Sequence, residues 1–269
     1  MKSTTLKLVS CITLAALFVL TVLACDNSNS PDPAPYTGGW TGSGTNPFKG
    51  VWKGRIDQYG YYMDILVACN NNTWIVMQNF ELEACLHVTV GRYEGANNSV
   101  TMKLNSDNSW ETVGTAVYNP STQKLIVSLF DEDISTWELI NVSSSIFAGS
   151  YPIEGFWSGN VSVPELSSSA MSAVAFCSEE YCYHYDGKQY PIIVVALPDV
   201  NGGVDLIGGA ISGGKYPLYE THSKFDFDEF YPLDYTHTAV AVLSNGNTTV
   251  KITFLDEPFE GTFTRENFD

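Results

Sequence analysis

Apolar and polar residues alternate along this chain in short runs of period two, separated by clusters of Asn, Asp, Gly, Ser and Pro. Eight strands are predicted over 51–56, 61–69, 73–79, 84–93, 99–104, 110–118, 124–130 and 136–142. The turns between them carry "CNNN", "EGANN", "NSDNS", "YNPST" and "FDED", and no stretch keeps a 3.6-residue period long enough for an α-helix. A second, less cleanly patterned set falls at 155–163, 170–177, 182–185, 192–197, 204–211, 236–243, 249–255 and 261–265. Eight strands joined by short turns predict an all-β, antiparallel up-and-down barrel, because closure removes the edges that a free sheet presents to other chains. Two tandem barrels are therefore expected. The alternative is a pair of β-sandwiches, each with a core Trp on its first strand.

Both sets begin alike. "NPFKGVWKGRI" (46–56) and "YPIEGFWSGNV" (151–161) share Pro, Gly, Trp and Gly at the same four positions. Met63 precedes Cys69 by six residues, as Met171 precedes Cys177, and Leu129-Phe130-Asp131-Glu132 is matched by Phe254-Leu255-Asp256-Glu257. The offset grows from 105 to 108 to 125, the pattern that loop insertions in one copy produce. A tandem duplication accounts for three matches in one order, with domains at 46–148 and 149–269.

Alternation also assigns faces. Met63, Ile65, Val67 and Cys69 share one side of a strand, while Asp64 lies on the other with Leu66, and the charge of Asp64 marks the outside. Carried through the repeat, this turns Met171, Ala173, Ala175 and Cys177 inward, so two alanines stand where the first copy has Ile and Val. An eight-stranded barrel is just wide enough for large side chains to fill it, so the second interior is expected to be the roomier one, with Met171, Ala173 and Ala175 as candidate ligand-binding residues. The glycines of "LIGGAISGG" on a later strand widen it further or mark a bend.

The first 25 residues change the picture. Lys2 and Lys7 precede an apolar run from 8 to 23 that ends in Val-Leu-Ala-Cys25, the layout of a targeting segment. The "VLAC" end resembles a bacterial lipobox, which implies cleavage before Cys25 and a diacylglycerol on its thiol. A transmembrane anchor is the alternative, for which the apolar run is short. Residues 25–45, rich in Pro, Ser, Asn and Gly, are expected to form a flexible tether of about twenty residues, reaching on the order of 25 Å. The expected setting is the bacterial cell envelope, on the periplasmic face of the outer membrane or at the cell surface. Asp26 after the lipidated Cys resembles an inner-membrane retention signal of enteric bacteria.

Composition excludes more than it selects. A formal charge of −17, and −19 without residues 1–24, repels phosphate backbones, so no nucleic-acid partner is expected. The 44% hydrophobic and 13% aromatic content argues for folded cores rather than a disordered chain.

"GVWKG" and "GFWSG", each opening an all-β run, resemble the Gly-x-Trp motif of lipocalins and related calycin barrels. The resemblance implies a Trp at the closed end of each barrel, Trp52 and Trp157, with a basic residue of a late strand packed on it. Arg265 fits that part for Trp157, whereas Leu139 falls near the equivalent place for Trp52. It also implies a small hydrophobic ligand in the barrel mouth. Catalytic groups are not evident: there is no nucleophile elbow, no Gly-rich phosphate loop and no His-Glu-x-x-His helix, so no enzyme, cofactor or metal is expected. Asp199 to Asp205 offers oxygen ligands around a Gly turn but lacks the spacing of an EF-hand. Four cysteines remain after Cys11 and Cys25 are set aside, and in an exported protein Cys177 and Cys182, flanking a four-residue turn, are candidates for a disulfide. A zinc site with His184 is the sharper alternative, without an evident fourth ligand. Cys69 and Cys85, with a strand between them, are too far apart to bridge in a simple meander, so either they are reduced or the strand over 73–79 is misplaced. A lipid-anchored carrier of a small hydrophobic ligand is one expectation. A structural or adhesive surface protein, its barrels packed solid and its fifteen Tyr and six Trp serving a protein or glycan partner, is the other.

Overall fold

Strands form where the alternation places them. A computed structural model describes residues 36–58, 61–80, 85–106, 109–130, 136–149, 151–162, 169–185, 188–199, 202–208, 215–221, 239–254 and 260–268, without the side chains of 56–63, 79–87, 180–192 and 202–221. Every regular element among them is a β-strand. The first sheet holds β1 (Gly50–Gln58), β2 (Tyr61–Cys69), β3 (Thr73–Phe80), β4 (Cys85–Ala96), β5 (Ser99–Ser106), β6 (Ser109–Asn119), β7 (Lys124–Leu129) and β8 (Trp137–Asn141). Each pairs antiparallel with the next, and β8 returns to β1 through Trp52↔Asn141 and Lys53↔Ile140, closing an eight-stranded barrel.

The second sheet holds β9 (Gly155–Ser162), β10 (Met171–Tyr185), β11 (Lys188–Leu197), β12 (Gly202–Gly208), β13 (Lys215–Thr221), β14 (Ala239–Ser244), β15 (Thr249–Phe254) and β16 (Glu260–Arg265). It is curled, with β9 pairing to β10 on one side and to β16 on the other. Two expectations are corrected here. The runs 170–177 and 182–185 are one strand, β10, with a register shift between Cys177 and Cys182, and two residues, Asp186-Gly187, separate it from β11. Asp-Gly is the stronger hairpin signal, and the cysteine spacing masked it. Strand β13 was not predicted, because Pro217 lies inside it and proline argues against a strand interior.

The repeat is visible in the backbone register. Gly50, Trp52, Gly54 and Ile56 face Cys69, Val67, Ile65 and Met63, while Gly155, Trp157, Gly159 and Val161 face Cys177, Ala175, Ala173 and Met171. Val142 N donates to Val51 O at 2.8 Å and Glu266 N to Phe156 O at 2.8 Å, the same bond in each copy.

Outer faces are not uniformly polar. Asp64 points outward and takes Arg55 at 2.7 Å, which holds its carboxyl below the usual carboxylate range. Its neighbours on that face, Leu66 and Ala68, are nevertheless buried, together with Val51, Ile75, Met77 and Val90. They pack against Phe156, Val174, Phe176, Val194 and Ala196 on the outside of β9–β11, so a separate apolar core lies between the sheets. The sequence pattern missed this because a strand buried on both faces loses its alternation. Phe147 of the connecting segment and Phe268 near the C-terminus join this core, with Phe147 5.5 Å from Phe176 and Phe268 stacked 6.2 Å from Phe156.

Polar groups rim the contact. The Arg92 guanidinium donates to both carboxylate oxygens of Asp199 at 2.8 Å, to Thr73 Oγ1 at 2.7 Å and to Asn72 Oδ1 at 3.1 Å. Asn105 Nδ2 donates to Asp199 O at 2.6 Å. Elsewhere Asn70 donates to Ser158 Oγ at 2.9 Å, Ser158 to Glu266 Oε1 at 2.6 Å, and Lys49 pairs with Glu266 at 3.0 Å. The described residues, from 36 to 268, belong to one compact unit.

The last part of the expected tether, from residue 36, packs on the first barrel. Trp40 bridges to Gly95 and donates from Nε1 to Asn97 O at 3.1 Å, and Thr41 N donates to Gly95 O at 2.9 Å. Tyr36 sits 4.7 Å from the Trp110 ring, so 36–45 are strapped to β4–β6 of the first barrel. Residues 1–35, including Cys25, lie outside the described residues.

Candidate functional site

The two interiors are the candidate sites, and they differ. In the first barrel Trp52, Trp74, Trp137, Tyr93 and Phe48 are almost wholly buried. Large rings at these inward positions fill the space that eight strands enclose. Their polar ends are mostly satisfied: Trp52 Nε1 donates to Phe48 O at 3.0 Å and Trp74 Nε1 to Arg92 O at 2.7 Å. The Tyr93 hydroxyl donates to Asn70 O and accepts from Asn46 Nδ2 at 2.8 Å, and burial pushes its pKa well above the usual tyrosine range. Trp137 Nε1 has no hydrogen-bond partner among the described residues. The gap left between Phe48, Cys69, Tyr93, Met102 and Val127 measures about 10 Å³, room for one water at most.

Cys69 borders that gap as a buried free thiol, pushed up to about 12 by burial. It faces Trp74 at one end of β3, whereas Cys85 faces Phe80 at the other, so the strand lies between them as expected.

Inside the second sheet the residues at matching register are small. Met171, Ala173, Ala175 and Cys177 are buried in its core beside Trp157, Ile193, Val195 and Phe263. Ala239 and Ala241 of β14 join them, which the reading of inward residues missed although the alternation of "AVAV" (239–242) carries it. The side chains of β12 and β13 lie outside the described residues, and with them those of "LIGG".

Trp157 ends this core. Its Nε1 donates to Ile153 O at 3.1 Å, the counterpart of the Trp52 bond. The Arg265 guanidinium lies 4.6 Å from the Trp157 ring centroid and donates from Nη2 to Pro152 O at 2.6 Å. This is a cation–π contact made on a residue of the last strand. In the first barrel the residue opposite Trp52 is Asn141 rather than Leu139, which is buried in the barrel core. Tyr118 meets Trp52 edge-on at 5.9 Å.

Gly-x-Trp has a physical reason in both copies. Gly50 and Gly155 have φ of 149° and 156°, where a side chain is strained. A Cβ on Gly50 would stand 2.8 Å from Ser143 Oγ, and one on Gly155 3.0 Å from Trp157 Nε1.

Cys177 and Cys182 both lie on β10, on either side of its bulge and paired to Ile193 and Pro191 of β11, and no disulfide joins cysteines among the described residues. The side chains of Cys182 and His184 lie outside the described residues. Asp199 of the oxygen-ligand stretch 199–205 is held by Arg92. Among the described residues no group of three metal-ligating side chains gathers. Comparison with protein-family models, characterised proteins and solved structures finds no match to this chain.

Proposed function

We propose that this chain is a lipid-anchored protein of the bacterial cell envelope, built as two tandem lipocalin-like barrels at 46–148 and 149–269. The first is a packed scaffold and the second binds a small apolar ligand. The observation that carries the reading is the contrast at matched register: Ile65 and Val67 among five large aromatic rings in one copy, Ala173 and Ala175 with Ala239 and Ala241 in the other. Small inward residues at these places leave volume that an acyl chain or comparable apolar group occupies, since an eight-stranded barrel is near the limit between solid and hollow. Met171, Ala173 and Ala175 would contact the ligand, and Trp157 with Arg265 would floor the site. Cys25 would carry the membrane anchor.

A fluorescent fatty-acid probe titrated into the protein tests the ligand. Saturable binding that Ala175→Phe abolishes, with the fold retained by circular dichroism, is the expected result. Unchanged binding by a folded Ala175→Phe protein overturns the site. Cys25→Ser should release the protein from membranes or leave it unprocessed; unaltered mass and fractionation would refute the anchor. The solid first barrel favours a second reading, a structural or adhesive surface protein. Native mass spectrometry separates the two, because a co-purifying lipid-like mass supports the carrier and a clean apo mass the adhesin.

A further inference from the structure

Glu154 ends the segment that joins the two sheets, and it is buried to 2% exposure. Its Oε1 accepts the Glu179 amide at 2.8 Å, from the bulged stretch of β10. Its Oε2 has no hydrogen-bond partner among the described residues. A buried carboxylate oxygen with no donor is costly, whereas a protonated carboxyl tolerates the same place far better.

A second carboxyl stands beside the first. A Cβ on Gly149 would lie 2.1 Å from Glu154 Oε1 and 2.3 Å from Glu179 Oε2, so both side chains converge on the glycine and only a residue without a side chain leaves room for them. The charged groups acting on Glu154 are Glu179 from β10 and Arg265 from β16. Arg265 is engaged with Pro152 O and the Trp157 ring. Beside Glu179, the wholly buried Ser178 donates from Oγ to Ile146 O at 2.8 Å, so the bulge grips the joining segment at both ends.

We propose that Glu154 and Glu179 form a proton-operated latch that fastens the joining segment, 146–154, to the bulge of β10 while Glu154 is protonated and releases it on ionisation. Ionisation sends the proton to bulk water and leaves a buried negative charge on Glu154 beside the half-buried carboxylate of Glu179. Burial lifts the Glu154 carboxyl above its ordinary range and the Glu179 charge adds to this, against the amides of Glu179 and Gly149 and the Arg265 charge. The folded protein therefore holds this proton more tightly than the unfolded chain. The latch is fully shut below the ordinary glutamate value of about 4.3 and opens as pH rises through the raised value.

Hydrogen exchange of the full chain at pH 5 and pH 8, corrected for intrinsic chemistry and read by mass spectrometry, tests this. Protection of peptides covering 146–154 and 178–181 should be about tenfold lower at pH 8 than at pH 5 for each pH unit by which the raised value exceeds 5, while β5–β7 is unaffected. Glu154→Gln keeps the shape and cannot ionise, so its protection at pH 8 should equal that at pH 5. Glu179→Gln removes the neighbouring charge and should shrink the wild-type difference, and it decides the matter alone if Glu154→Gln fails to fold. Equal wild-type protection at both pH values, a folded Glu154→Gln protein that keeps the difference, or a Glu179→Gln protein that leaves it undiminished would each overturn the latch.

Discussion

Asp199→Ala isolates the ion pair that joins the two sheets. Arg92 is 5% exposed and Asp199 16%, and both bonds between them are 2.8 Å. Removing one partner of a buried pair costs about 3–5 kcal/mol, because the remaining charge is left without compensation. Two features reduce that figure here. Arg92 keeps Thr73 Oγ1 and Asn72 Oδ1, and alanine keeps the main-chain oxygen that accepts from Asn105. The expected loss is therefore about 2–3 kcal/mol, just below that range. For a chain of this size it lowers the melting temperature by roughly 5–10 °C. Arg92→Met in the same background should recover part of the loss, since an apolar side chain leaves no buried charge behind. Urea titration of the four proteins of this cycle at low and high salt measures the coupling, which should change little with ionic strength because a buried pair is weakly screened. An Asp199→Ala protein within about 0.5 kcal/mol of wild type would refute the reasoning, because that is the spread of ordinary surface substitutions.

Phe176→Ala, in the core between the sheets, should cost about 3–5 kcal/mol and split a single calorimetric transition into two; a smaller loss with one transition would mean that the sheets are coupled elsewhere. Gly50→Ala and Gly155→Ala should each lower stability by about 1 kcal/mol or more, since φ and the neighbouring atoms oppose a Cβ, and unchanged melting would contradict this. Cys69 should resist Ellman's reagent at pH 8 in the native protein and react once the chain is unfolded, because its thiol is buried and pushed up to about 12; rapid native reaction would refute the packing of the first barrel.

Much of this architecture is legible in the sequence because alternation and turn chemistry are local. Strands β1–β8 fall where the pattern and the Asn-rich turns put them, and Asn97 and Asn245 take the positive φ that such turns demand. Inward Ile65, Val67, Ala173 and Ala175 follow from a single charge, Asp64, because side chains on a strand have only two faces. What escaped depends on contacts distant in sequence. Leu66 and Phe176 look like ordinary strand residues until a second sheet covers them, and Glu154 meets Glu179 only through a bulge that no propensity announces. Asn141 rather than Leu139 opposes Trp52 because the register of β8 on β1 is set at barrel closure, after the local pattern has been spent.

The core between the sheets uses the same patch of each copy: Val51 and Phe156 are equivalent positions, as are Leu66 and Val174, and Ala68 and Phe176. A self-matched surface is what a two-fold homodimer presents, here with both subunits on one chain. Covalent linkage replaces protein concentration with an effective concentration in the millimolar range or above, so neither half has to find a partner. It also frees the two halves from being identical. A true homodimer cannot fill one lumen with tryptophan and line the other with alanine, since every substitution appears twice. A fused pair can hold its shared seam constant while each interior follows its own course, and here Ile65 and Val67 of the first barrel have Ala173 and Ala175 as their counterparts in the second sheet.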